Sequence, residues 1–237
     1  MFKKKVLILG ASSDIGVETV KLYLSKNFQV IAHYNTNNKK LLSIKSKNLK
    51  LIKFNLVNIF SFEQYIKKNK KLISDVDIFI SLTGYIKTKE FLKTTSNDII
   101  DHISANYLSN LVIIKLILEK MRKKSWGRIL LGSSIGTKFG GGFVTVPYSI
   151  SKHLNEFFPS TYKKYYKYNI NINVLKIGLT NTKLLKKDKH KNYKKRVDLI
   201  PIKRMATTNE VAEYIFFLCS EKNKLITNEV INISGGE

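Results

Sequence analysis

Residues 148–152 read Tyr-Ser-Ile-Ser-Lys, a phenol and an ammonium four positions apart, just after Pro147 and a run of glycines. On a helix, positions i and i+4 share a face, so the two groups would stand one turn apart. Lysine is the commonest charged residue in the chain, so this spacing alone falls short of a catalytic motif. A second stretch carries a different chemistry. Gly-Ala-Ser-Ser-Asp-Ile-Gly, residues 10–16, follows an apolar run and opens a helical one. Glycine at such a turn lets the backbone approach a pyrophosphate, and the helix start offers free N–H groups and partial positive charge. Ser12 and Ser13 can add hydroxyl donors.

These residues need elements to hold them. Short apolar or β-branched runs predict strands at 5–9, 28–33, 49–54, 76–80, 127–132, 170–176 and 229–233. Amphipathic stretches near 14–26, 38–47, 60–70, 91–123, 147–167 and 208–220 predict the helices between them. Strands separated by helices require crossover connections, hence an α/β fold with a mostly parallel, doubly wound sheet of about seven strands. With no linker and no internal repeat, residues 1–237 are expected to form a single domain. Residues 183–207 break the alternation. They are polar, basic and punctuated by Pro201, and the expectation is a mobile loop over a substrate site.

Composition narrows the function classes. The formal net charge is +25, yet only Arg122, Arg128, Arg196 and Arg204 among the 42 basic residues are arginine. Nucleic-acid readers favour the planar arginine fork, and the lysines are spread from end to end, so no specific nucleic acid is expected. Cys219 is the single cysteine, which rules out a disulfide within the chain and fits a reducing compartment. The opening MFKKKVLILGASSD imitates a signal peptide, but its apolar stretch is too short. No run reaches the roughly 20 apolar residues of a membrane span. A cytoplasmic protein with no bound metal is the expectation.

GASSDIG, SLTG at 81–84, Asn106, GSS at 132–134, YSISK and VLKIGLTNT at 174–182 stand in an order that resembles the short-chain dehydrogenases/reductases, the 3-oxoacyl-carrier-protein reductases among them. The likeness runs from the first strand to the final Gly-Gly. It implies a Rossmann-like domain that moves hydride between NAD(P) and a carbonyl or alcohol. It also implies a catalytic set of Asn106, Ser134, Tyr148 and Lys152. Tyr148 would exchange a proton with the reacting oxygen. A phenol has a pKa near 10, and a nearby cation lowers an acid by about 1–3 units, so Lys152 is expected to pull Tyr148 down. Lys152 would also bond the cofactor ribose. Ser134 would hydrogen-bond the substrate oxygen. Counting back from Gly136 favours Ser133 instead, and both stay open. Asn106 would hold a water that links Lys152 to solvent.

The resemblance carries cofactor contacts onto Gly10, Ser12, Ser13, Asp14, Ile15 and Gly16, then Tyr34, Asn35 and Thr36, then Asn55 and Leu56 near the adenine. It carries them further onto Thr83 and Gly84, Tyr148 and Lys152, and Thr180 and Thr182 at the nicotinamide. Several positions depart from the family pattern. Asp14 stands where a glycine is usual, SLTG replaces Asn-Asn-Ala-Gly, and Ile177 replaces a proline. Dehydrogenases that use NAD place an acid after the second strand. This chain has HYNTNNKK at 33–40, so NADP is expected over NAD, its phosphate meeting Asn35, Thr36 and Lys39 or Lys40. The expected activity is reduction of a small-molecule or carrier-bound carbonyl, anionic if the basic loop selects it, in a homodimer or homotetramer. The rival is a catalytically silent protein that senses cofactor or serves as a scaffold.

Overall fold

The computed structural model describes residues 4–157, 162–183 and 193–237. Seven strands form one sheet: β1 Lys5–Leu9, β2 Gln29–Tyr34, β3 Leu49–Lys53, β4 Ile78–Ser81, β5 Gly127–Ser134, β6 Ile170–Ile177 and β7 Val230–Ile233. Their order is β3-β2-β1-β4-β5-β6-β7, and every neighbouring pair is parallel. The order reverses between β1 and β4. In a doubly wound sheet that switch point opens a crevice beyond the C-terminal strand ends, which is where GASSDIG and SLTG lie.

Alternation along the strands feeds two cores. Leu7, Leu9, Phe79, Ile129 and Leu131 face Ile113, Ile117 and Met121 of α6 (Ser109–Lys124) and Phe62 and Ile66 of α3 (Ile59–Lys68). Val6, Ile8, Ile78, Ile80 and Leu130 face Val17, Val20 and Tyr23 of α1 (Asp14–Ser25), with Val211 and Ile215 of the helix Thr208–Leu218. Burying the inner strands on both faces explains why they read as continuous apolar runs rather than alternating ones.

The strands match the sequence-based boundaries within two residues, but the helices differ. The helix expected at 38–47 is a single turn, α2 Lys39–Leu42, with Leu41 its one buried residue and no side-chain cap at Asn38. The stretch 60–70 divides at Asn69 into α3 and a short α4, Lys70–Ile73. The expected helix 91–123 is interrupted. A Thr95/Asp98 capping box starts α5, Ser96–Ile103; a π-turn covers Ser104–Leu108; and α6 follows. The expected helix 147–167 is α7, Val146–His153, a 3-10 turn at Leu154–Glu156 and, beyond residues 158–161, α8, Lys163–Tyr166. Pro147 sits in the first turn of α7, where a missing N–H costs little.

The segment 183–207 also holds more structure than expected. Tyr193–Leu199 forms a helix, Ile200 is buried, and Arg196 pairs with Glu237 at 3.2 Å. Residues 184–192, which include Lys186, Lys187, Asp188, Lys189 and Lys191, lie outside the described residues.

Candidate active site

Tyr148 and Lys152 share one face of α7 as the i, i+4 spacing requires. Lys152 is almost fully buried, its Nζ donating to the carbonyl oxygens of Gly132 (2.8 Å) and Thr83. Those carbonyls lie at the ends of β5 and β4, so the lysine joins α7 to the switch-point crevice. Burial pushes the Lys152 ammonium down to about 7. Tyr148 is half-buried, with Lys152 Nζ 5.8 Å from its ring centre. Burial raises the phenol above its ordinary range, and hydrogen bonding with Ser134 offsets only part of that. The expected lowering of Tyr148 by Lys152 is therefore not what the structure shows. The ammonium is spent on two carbonyls and is itself weakened by burial.

The two serines of β5 diverge. In extended chain neighbouring side chains point to opposite faces. Ser134 turns to Tyr148 and also accepts from Gly136 N at 3.2 Å. Ser133 turns the other way and donates to Glu156 Oε1 at 2.7 Å. Of the two serines that sequence counting left open, Ser134 is the one brought to the phenol.

Asn106 is fully buried in the π-turn, a distortion often found at functional sites. Its Oδ1 accepts from Tyr85 N and its Nδ2 donates to Tyr85 O and Ser151 Oγ, all at 2.9 Å. Both amide hydrogens are thereby used, so the side chain ties the segment after β4 to α7. Its carbonyl oxygen accepts from Asn110 and Asn155, each at 2.9 Å.

The glycine turn fits a dinucleotide. Gly10 has φ of +71°, and a Cβ there would stand 2.5 Å from Leu82 O. A Cβ on Gly16 would stand 2.6 Å from Gly10 O, so these two positions keep β1, β4 and α1 in close contact. Ser13 caps α1, accepting from Gly16 N at 3.0 Å. Among the described residues the N–H groups of Ser12, Asp14 and Ile15 have no acceptor, which leaves donors at this helix start for phosphate oxygens. Asp14, which stands where a glycine is usual in the family, neither caps the helix nor faces solvent freely. It pairs with Lys40 and accepts from Lys183 N at 2.6 Å. Burial raises the carboxyl, but these bonds and the two lysine charges overcome that and hold it below its usual range. Beside it lies an open cleft of about 390 Å³ lined by Lys40, Asn181, Thr182 and Lys183.

The remaining cofactor positions divide. Asn35, Thr36 and Gly84 are exposed and Tyr34 is half-buried, at the strand ends of the same crevice. Asn55 is exposed, its Oδ1 accepting from Val57 N at 3.1 Å, whereas Leu56 is buried in the core with Phe62 and so is not free to cover an adenine ring. Thr83 is buried, with its hydroxyl 3.1 Å from Ser81 Oγ. Thr180 is also buried and donates to Gly178 O at 3.0 Å, while Thr182 is half-buried beside the cleft. Sequence reading missed His33. It is buried under the glycine turn, Nδ1 accepting from Gly10 N at 3.2 Å and Nε2 donating to Phe54 O at 2.9 Å. Burial lowers its pKa despite the Phe54 carbonyl, so a neutral imidazole braces the turn. Its place at the end of β2 was visible, but nothing in the sequence indicated that the ring points inward.

A family model for short chain dehydrogenase matches residues 4–193. The chain belongs to the short-chain dehydrogenase family. It is thus an NAD(P)-dependent oxidoreductase with a Rossmann-like fold. The 3-oxoacyl-acyl-carrier-protein reductase FabG of Buchnera aphidicola subsp. Acyrthosiphon pisum is 30% identical over 238 residues, covering 99% of this chain and 97% of that protein. The FabG protein of Escherichia coli is 25% identical over 237 residues, covering 98% and 96%. Among solved structures, ElxO with NADP bound superposes with a TM-score of 0.85 at 26% identity, covering 99% of this chain and 98% of that one. Among the described residues no helix is long and apolar enough to cross a membrane.

Proposed function

We propose that this chain reduces a carbonyl to an alcohol with NADPH, Tyr148 donating the proton and Ser134 holding the substrate oxygen. The observation that carries the reading is the Ser134–Tyr148–Lys152 arrangement set at the mouth of a glycine turn with free N–H donors. A dinucleotide held at the glycine turn would supply the hydride. The chain supplies the rest. A phenol kept above its ordinary range stays protonated at neutral pH and is ready to donate. Ser134 offers a fixed donor to the oxygen on which negative charge develops. Lys152, held on two carbonyls, would share its remaining hydrogen with ribose hydroxyls, and Asn106 steadies α7 behind it.

NADP is favoured over NAD because no acid follows β2 and because ElxO carries NADP. The FabG relatives favour an acyl group on a carrier as the substrate, and the basic segment 183–207 suits an anionic one. The proposal includes one NAD(P)-binding domain over residues 1–237, working as a cytoplasmic homodimer or homotetramer. The deciding experiment follows NADPH absorbance while a panel of 3-oxoacyl thioesters and simple ketones is offered. Consumption of NADPH with one of these classes is expected. No consumption with any member, by protein that binds NADPH, would leave the silent-protein reading in its place.

A further inference from the structure

Glu156 lies one turn beyond Lys152 and is absent from the chemistry described so far. Its side chain is nearly buried, and its oxygens serve four partners. Oε1 accepts from Ser133 Oγ at 2.7 Å and Thr137 Oγ1 at 2.8 Å. Oε2 stands 2.9 Å from Lys176 Nζ and 3.2 Å from His153 Nδ1. Lys176 is the partner of Ser133 in the β5–β6 register. Ser133 Oγ also reaches Lys152 O at 3.3 Å. A single carboxylate thus joins the ends of β5 and β6, the turn after β5 and the end of α7.

We propose that Glu156 is a positioning residue: it clamps the buried Ser133 on the face away from the phenol so that Ser134, the next residue on the strand, is the hydroxyl presented to Tyr148. Two adjacent serines offer two hydroxyls, and extended backbone sends them to opposite faces. The β5–β6 ladder runs through both serines, and the Glu156 bonds add side-chain ties that hold the Ser133 hydroxyl on its own face at the strand end. A buried carboxylate is costly unless paired. Lys176 and the two hydroxyls satisfy it and hold its pKa below the usual range against the opposing effect of burial. Beyond its backbone pairing with Lys176, Ser133 is held by its hydroxyl, which bonds to Glu156 and more weakly to Lys152 O among the described residues.

The inference rests on the reading of Ser134 and Tyr148 as the reacting pair, so its test includes a readout independent of turnover. Crystal structures of Glu156→Leu and Glu156→Gln should differ. In the leucine variant Ser134 should leave Tyr148, whereas glutamine keeps an acceptor for Ser133 and should keep the pair. In kinetics, Glu156→Leu should lower kcat about tenfold or more with KM and the NADPH Kd within about threefold, and Glu156→Gln should recover most of the loss. Ser133→Ala, a milder change that tests the same link if the leucine variant does not fold, should lower kcat alone. Ser134 still facing Tyr148 in Glu156→Leu, or a wild-type kcat in Ser133→Ala, would overturn the proposal. A wild-type protein that reduces no carbonyl would sink the functional reading instead, and the crystal comparison would still decide this one.

Discussion

Lys152 Nζ lies 5.8 Å from the centre of the Tyr148 ring, yet its hydrogen bonds run to Thr83 O and Gly132 O rather than to the phenol oxygen. The lysine therefore ties the catalytic helix to the crevice floor, and it does not draw the proton from the tyrosine in this state. That division of labour separates the effects of changing the two residues. Tyr148→Phe keeps the ring packing and removes only the transferable proton. Turnover should fall by about a hundredfold or more while the NADPH Kd stays within about twofold. Lys152→Ala should damage both quantities. A phenylalanine variant that keeps a tenth of the wild-type rate would remove Tyr148 from the proton step.

Burial of Lys152 also predicts how stability depends on pH. Its folded pKa of about 7 lies below the ordinary value of 10.5. Below pH 7 the folded and unfolded chains both carry the proton, and the folded chain bears the whole cost of burying it. Between about pH 7 and 10 the unfolded chain holds more protons, so stability rises with pH. Lys152→Met removes the titrating group. Measured by urea unfolding, the stability of wild type relative to Lys152→Met should shift in favour of wild type by about 2–4 kcal/mol from pH 6 to 10. A difference that is flat with pH would show that the lysine stays charged in the fold.

The sheet was legible because strands buried on both faces leave apolar runs that composition alone marks. Helix interiors were less so. The capping box at Thr95 and Asp98 and the π-turn at Asn106 interrupt a stretch whose apolar periodicity hides both. The candidate site was legible where motif and geometry coincide, at Tyr148, Lys152 and Gly10. It was not legible where the outcome depends on which way a side chain turns. Ser133 and Ser134 are identical in type and adjacent, and the carboxylate that separates them comes from 23 residues away from Ser133. Asp14 marks a departure from the family glycine in the sequence, but its pairing with Lys40, 26 residues on, depends on the fold.

Arg128 tests the structural side of the basic composition. It is almost fully buried in β5, donating to the carbonyl oxygens of Gly127 and Asn169 at 2.8 Å and of Asn223 at 3.3 Å, with its guanidinium 4.6 Å from the Trp126 ring centre. A planar fork reaches several carbonyls at once, which one ammonium cannot do. Arg128→Lys should destabilise the fold by about 2–4 kcal/mol in chemical denaturation, with NADPH affinity of the folded protein unchanged. A loss under about 0.5 kcal/mol would mean the lysine finds equivalent partners.

The pairing of Asp14 with Lys40 leads to a cofactor test. Lys40 is a lysine after β2 that lines the cleft beside Asp14, and Asp14 holds it. A phosphate must therefore compete with a carboxylate for the same ammonium. Asp14→Asn removes the competitor and the repulsion while keeping an acceptor for Lys183 N. NADPH should then bind several-fold more tightly, about three- to tenfold, with a smaller gain for NADH. Lys40→Gln should act in the opposite sense, leaving Asp14 uncompensated beside the glycine turn and weakening NADPH more than NADH. Because the effect is electrostatic and partly exposed, the Asp14→Asn gain should shrink at high salt. Kd values for both cofactors, read by quenching of protein fluorescence at two salt concentrations, decide the matter. If Asp14→Asn leaves the NADPH Kd unchanged, Lys40 does not contact the ribose phosphate, and any preference for NADP has to come from Asn35 and Thr36.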